Sequence, residues 1–205
     1  MDIDPREVTS KDCYKLMVGS IVPRPIALVS TLSSDGITNL APFSYFTAIS
    51  ADPPTICFAP GWRAKRGDRK DTLANIEATG EFVVNVVTEA MGAAMNETAR
   101  DYPPDIDEFQ AAGLTPEPSR MIKPPRVKES PIHMECRLYD IVRVGTDKAA
   151  GASLVIGEIV LFYVADHLYR DGRIDIPKLN PLGRLAGDDY TALGRVISHK
   201  RKPAL

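Results

Sequence analysis

Asp35-Gly36 stands between two runs of β-branched and aliphatic residues, Ile26 to Leu32 and Ile37 to Ala41. An Asp-Gly pair supplies the positive-φ turn that closes a two-stranded hairpin. Pro23 and Pro25 hold the backbone extended around Arg24 on the way in. The first quarter of the chain is therefore committed to antiparallel pairing, and later segments repeat the pattern. Thr55 to Ala59 and Phe82 to Val87 read as strands. From Met134 to Val144, Met134, Cys136 and Leu138 alternate with Glu135, Arg137 and Tyr139, as in a half-buried strand. Leu154 to Ala165 is apolar on both faces, as a central strand is, and Asp171-Gly172 marks a last hairpin.

Helical signals are fewer. Asp4 to Val18 is weakly amphipathic through Val8, Tyr14, Leu16 and Met17. A helix opens near Asp71 or Thr72, either of which can cap it; it carries Leu73 and Ile76 on one face and ends at Gly80. Met91, Ala94, Met95 and Thr98 have helical spacing within Thr88 to Arg100. Tyr102 to Pro131 is rich in proline and reads as an ordered excursion, with a helical piece at Asp107 to Ala112 and Phe109, Leu114, Met121 and Ile122 as anchors. Six to eight strands that neighbour one another, with two or three helices, predict a mainly β fold: an antiparallel barrel with peripheral helices, in a single domain over residues 1–205.

Composition narrows the function. With 44% hydrophobic residues the chain can bury a core, and a net charge of -2 gives no basis for binding nucleic acid or an anionic membrane. The opening segment MDIDPREVTSKD has no apolar run like that of a secretory signal, and the longest apolar run, Leu154 to Ala165, is too short to span a bilayer as a helix. Cys13, Cys57 and Cys136 form no CxxC pair. They read as thiols in a reducing compartment, so a cytoplasmic protein is expected.

Two stretches carry chemistry. Lys70-Asp71-Thr72, following Arg63, Lys65, Arg66 and Arg69, places cations and a hydroxyl at a helix start. That is what a phosphate monoester needs, although a solvated basic loop has the same composition. Asn39 to Tyr45 offers open backbone groups beside Pro42, the Ser44 hydroxyl and the apolar area of Phe43, Tyr45 and Phe46. An isoalloxazine ring would suit it; a plain aromatic core would read alike. His133, His167 and His199 show no ligand spacing, so no metal site is expected, and His133 alone is placed at the head of a strand. The sequence holds no GxSxG, P-loop or GxGxxG. Glu135 has no evident carboxylate partner. Arg184, Asp188, Asp189 and Tyr190 read either as a segment closing over a site or as a surface loop.

Six segments in order, RPIALVST, TNLAPFSYFTAISADPPTICF, RKDTLANIEATGEFVVNVV, DEFQAAGLTPEPS, KPPRVKESPIHMECRL and PLGRLAGDDYTALGR, resemble the flavin reductase-like family of FMN-binding split-barrel proteins. The resemblance runs from about Tyr14 to Ile197. It implies a six-stranded antiparallel split β-barrel forming a homodimer with FMN, or FAD, at the interface. It implies an NAD(P)H:flavin oxidoreductase with NAD(P)H as co-substrate, whose reduced flavin serves an oxygenase or another acceptor. By position, the phosphate would fall to Ser44, Arg69, Lys70 and Thr72, and the ring to Thr31, Asn39, Leu40, Ala41, Pro42 and Phe58. Arg184 and Tyr190 would approach from the partner, and no side chain need act as a catalytic acid or base. A flavoredoxin-like FMN electron carrier without NAD(P)H turnover, and a non-enzymatic split-barrel interaction module, are the other classes compatible with this pattern.

Overall fold

In a computed structural model, which describes residues 1–62, 69–145, 151–200 and 202, one seven-stranded sheet organises the chain. In chain order the main elements are α1 (Ser10–Ser20), β1 (Ala27–Leu32), β2 (Thr38–Phe43), β3 (Phe46–Ala51), β4 (Pro54–Phe58), α2 (Asp71–Thr79), β5 (Glu81–Val86), α3 (Gly92–Glu97), α4 (Glu108–Ala112), β6 (Ile132–Val144), β7 (Ala152–Val164) and α5 (Ile176–Leu179). The sheet order is β2-β1-β5-β6-β7-β4-β3, antiparallel at each pairing.

Closure follows from this order. The two outermost strands, β2 and β3, are joined only by Ser44 and Tyr45. Six inter-strand steps laid flat would part them by about 29 Å, whereas the chain from Phe43 to Phe46 reaches at most about 11 Å. The sheet must roll up until its ends meet, giving a barrel whose seam is crossed by chain. The expected barrel is present with seven strands in its sheet rather than six, because the polar aromatic run after Pro42 itself pairs as β3 with β4.

The hairpin turn sits where the sequence places it: Gly36 has φ 83° and its N–H donates to the Ser33 carbonyl at 3.1 Å. The helix after it begins differently. Lys70, not Asp71 or Thr72, is the N-cap of α2, and Gly80 ends the helix at φ 70°. Inside the barrel, Ala27, Val29, Phe43, Ile56, Phe58, Phe82, Val84, Cys136 and Val155 pack with Leu73 and Ile76 of α2. The opposite face of β1 packs Ile26 and Leu28 on Met91, Met95, Phe109, Leu114 and Val127. β1 is thus buried on both faces. Gly157 lies at a register shift between β6 and β7, and a Cβ there would overlap Cζ and Cε1 of Phe82.

The excursion is anchored by Phe109, Leu114 and Ile122, while Met121 stays exposed. Barrel side chains also grip its backbone. Ser30 Oγ donates to Pro125 O at 2.5 Å, and Val127 N donates to Asn85 Oδ1 at 2.9 Å. Glu135 accepts from Arg120 N at 2.9 Å and Met121 N at 2.7 Å, so this buried carboxylate is structural. His133 is fully buried with Nε2 2.8 Å from Val127 O. Its proton therefore sits on Nε2, and burial, with Arg126 nearby, holds its pKa below the ordinary value. Among the described residues no helix is long and apolar enough to cross a membrane.

Two outcomes follow. Gly157→Ala should lower stability by about 1–3 kcal/mol in urea titration, because Phe82 has no room to retreat. Neutral His133 favours the folded state above the unfolded imidazole pKa of about 6.5, and this is lost as pH falls below it. The urea midpoint should therefore drop more between pH 7.5 and 5.5 in the native chain than in His133→Gln.

Candidate functional site

The seam and the start of α2 meet at one surface. A cavity of about 320 Å³ is lined by Asn39, Ala41, Pro42, Trp62, Lys70, Thr72, Tyr102 and Glu108, among others. A larger cleft of about 930 Å³ runs between α1 and the barrel, past Tyr14, Met17, Phe43, Ser44, Tyr45 and Ala152. Pro42, Trp62 and Lys70 line both.

β2 brings Asn39 to Phe43 to this surface in an extended run. Lys70 Nζ lies 5.2 Å from the centroid of the Phe43 ring, which fixes the ammonium at the junction. As N-cap, Lys70 gives α2 no side-chain cap bond. Lys70 and the first residues of α2, Asp71 and Thr72, line the same cavity, so a cation and the positive end of a helix border one space, an arrangement suited to an anion.

Behind this spot lies a buried polar network. Thr72 Oγ1 donates to Asn39 Oδ1 at 2.8 Å, and Thr31 Oγ1 donates to the same oxygen at 3.3 Å. Asn75 Nδ2 donates to Thr31 Oγ1 at 3.0 Å. Asn39 Nδ2 donates to Glu108 Oε1 at 2.9 Å, and the Leu40 N–H donates to Glu108 Oε2 at 3.0 Å. Glu108 is 5% exposed. Burial pushes its pKa up, Asp71 adds to the rise, and the bonds from Leu40 and Asn39 oppose it.

Arg24, 4% exposed between its two prolines, ties three segments together. Nη1 donates to Val18 O at 2.7 Å and Ile21 O at 2.8 Å, capping the end of α1. Nη2 donates to Leu185 O at 2.8 Å, and Nε donates to Ser44 Oγ at 3.3 Å. The α1 wall, the seam and the late segment are thus held by one guanidinium.

The sequence-predicted residues divide accordingly. Asn39, Ala41, Pro42, Ser44, Lys70 and Thr72 come together on the two clefts. Thr31 stands behind Asn39 as support. Leu40 and Phe58 are fully buried; Phe58 packs between Phe43 and Phe82 at 5.1 and 5.4 Å and backs the cleft wall rather than lining it. Arg69 turns away to an ion pair with Glu77. Arg63, Lys65 and Arg66 lie outside the described residues. Arg184 stacks on Tyr190 at 4.4 Å, and Tyr190 donates to Asn96 Oδ1 at 3.1 Å. Neither lines either cleft of its own chain. Sequence reasoning missed Glu108, Trp62 and Tyr102. Glu108 looks like an ordinary first-turn acid after the Asp107 cap, and only the tertiary fold shows that it is buried.

Comparison with known proteins adds to this geometry. The family model for the flavin reductase like domain matches residues 18–179. Nitrilotriacetate monooxygenase component B from Bacillus cereus is 44% identical, with a TM-score of 0.92 over 97% of this chain and 98% of that one. The 2-nitrobenzoate 2-nitroreductase of Pseudomonas fluorescens is 35% identical, TM-score 0.85, over 100% and 99%. A protein described as a flavin reductase with a split barrel domain, from Shewanella frigidimarina, is 26% identical, TM-score 0.83, over 98% and 100%.

Removing the centre of the network tests its weight. Asn39→Ala removes the donor to Glu108 Oε1 and the acceptor of the Thr72 hydroxyl, so unfolding free energy should fall by about 1–3 kcal/mol in denaturant titration.

Proposed function

This chain belongs to the flavin reductase-like domain family, and from that premise we propose that its paired clefts bind FMN for an NAD(P)H-dependent flavin reductase. One observation carries the reading: an anion seat and a ring-sized cleft meet at Lys70 and Pro42. The donor set fits the cofactor. Lys70 and the N–H groups at the start of α2 suit a phosphate, with the Thr72 hydroxyl already given to Asn39, and the Ala41-to-Ser44 backbone with the Phe43 wall suits an isoalloxazine. FAD would use the same seat and ring cleft, with its adenylate half outside them.

When bound, the flavin supplies the hydride chemistry, taking two electrons from a nicotinamide and passing them to an acceptor. The protein's part is position and charge. Lys70 balances the phosphate and, from the ring face of Phe43, has little freedom to leave. β2 holds its backbone groups for the polar edge of the ring. α1 forms the outer wall of the larger cleft, which has room for a donor beside the flavin.

The outer wall also argues for a homodimer. α1 is 11 residues long with only Val18 buried, and Tyr14, Met17, Ile21, Val22 and Ile49 remain exposed. A second copy would cover this face and bring Arg184 and Tyr190 of that copy toward the flavin. The similarity to a monooxygenase component supports an oxygenase as consumer of the reduced flavin.

Anaerobic addition of NADH or NADPH to the FMN-loaded protein tests the activity. Bleaching of the visible flavin bands by one nicotinamide is expected; bands that persist with both would assign a carrier instead. Lys70→Glu should weaken FMN at least about tenfold by fluorescence titration, the weight of one charge-assisted hydrogen bond. Riboflavin, which lacks the phosphate, should lose little.

A further inference from the structure

Glu108 is a buried charge that the flavin reading leaves without a task. Its carboxylate lies in the wall of the cavity that also holds Lys70, Asp71, Thr72, Arg100 and Asp101. Its two oxygens are held by neutral donors, the Asn39 amide and the Leu40 N–H. The elements packed on α4 bring little else: β2, sequence TNLAPF, has no charged side chain. On α3, Glu97 is engaged by Arg100 at 2.7 Å and Tyr102 at 2.5 Å. Burial and the Asp71 charge already favour the neutral form of Glu108.

A phosphate seated at α2 would bring about −1.5 to −2 charges to this cavity, more than the single positive charge of Lys70 offsets. In a cavity of about 320 Å³ lined by both Glu108 and the start of α2, mobile ions screen phosphate from carboxylate only weakly, since screening acts over a Debye length of about 8 Å. Protonation removes the repulsion without dismantling the network. In a neutral carboxyl the carbonyl oxygen still accepts one N–H, while the hydroxyl oxygen accepts the other and donates its own proton forward.

We propose that Glu108 takes up one proton from solvent when a flavin phosphate binds and returns it on release, so that this residue couples cofactor affinity to pH. Glu108 is a positioning residue here, since it reaches the phosphate seat through Asn39 and Thr72. The inference rests on the flavin reading above. It adds that the phosphate is recognised together with a proton.

Titration calorimetry of the full-length apoprotein with FMN, in two buffers of different protonation enthalpy, counts the protons. Uptake of up to one proton is expected for the native chain. Its FMN affinity should weaken with rising pH, by up to tenfold per unit, between the Glu108 titration of the apoprotein and that of the complex. Uptake should vanish in Glu108→Gln, a comparison that subtracts the phosphate's own ionisation, and with riboflavin. Equal proton counts for native and variant, or for FMN and riboflavin, would overturn the proposal. Infrared difference spectra of the native protein repeat the test without a variant: a protonated-carboxyl band should appear with FMN but not with riboflavin, and its absence also overturns it. Absence of any binding heat with either flavin would instead remove the flavin reading itself.

Discussion

The structure depends on a short link across a long way round. β2 and β3 stand at opposite ends of a seven-strand order, yet two residues join them. That constraint bends the sheet into a barrel and leaves a seam where backbone pairing stops. A seam in a barrel is where backbone groups and side chains can face a ligand without breaking a ladder. Ser44 and Tyr45 sit on it, and the larger cleft opens beside them.

Around the seam, polar groups are used to hold segments rather than to face solvent. Arg24 joins α1, Ser44 and Leu185. Asn39 joins β1, α2 and α4 through Thr31, Thr72 and Glu108. Serine, asparagine, histidine and glutamate side chains on the barrel hold the backbone of the excursion. Buried polar groups of this kind cost more when left unpaired than they gain when paired. They therefore fix geometry more than they add stability.

Much of this was legible in the sequence. The Asp35-Gly36 turn, the alternation in β6 and the apolar β7 gave the antiparallel fold, since period and turn chemistry are local properties. The helix start at Lys70 to Thr72 was legible because a capping position beside a basic run is also local. What escaped was long-range. Thr72 seemed free to cap its own helix, but its hydroxyl is drawn to Asn39, 33 residues away. Arg69 read as a phosphate ligand, and its guanidinium is paired with Glu77 of α2, a contact that shows only once the helix is placed. Glu108 gave no signal, because burial of a carboxylate is decided by what the excursion packs against.

The most direct test of the account is a crystal structure of the protein with FMN. The account predicts the phosphorus atom at the start of α2, within reach of Lys70 and Thr72, and the ring along Ala41 to Ser44 in the larger cleft. A flavin bound with its phosphate elsewhere, or lying outside these two clefts, would contradict it.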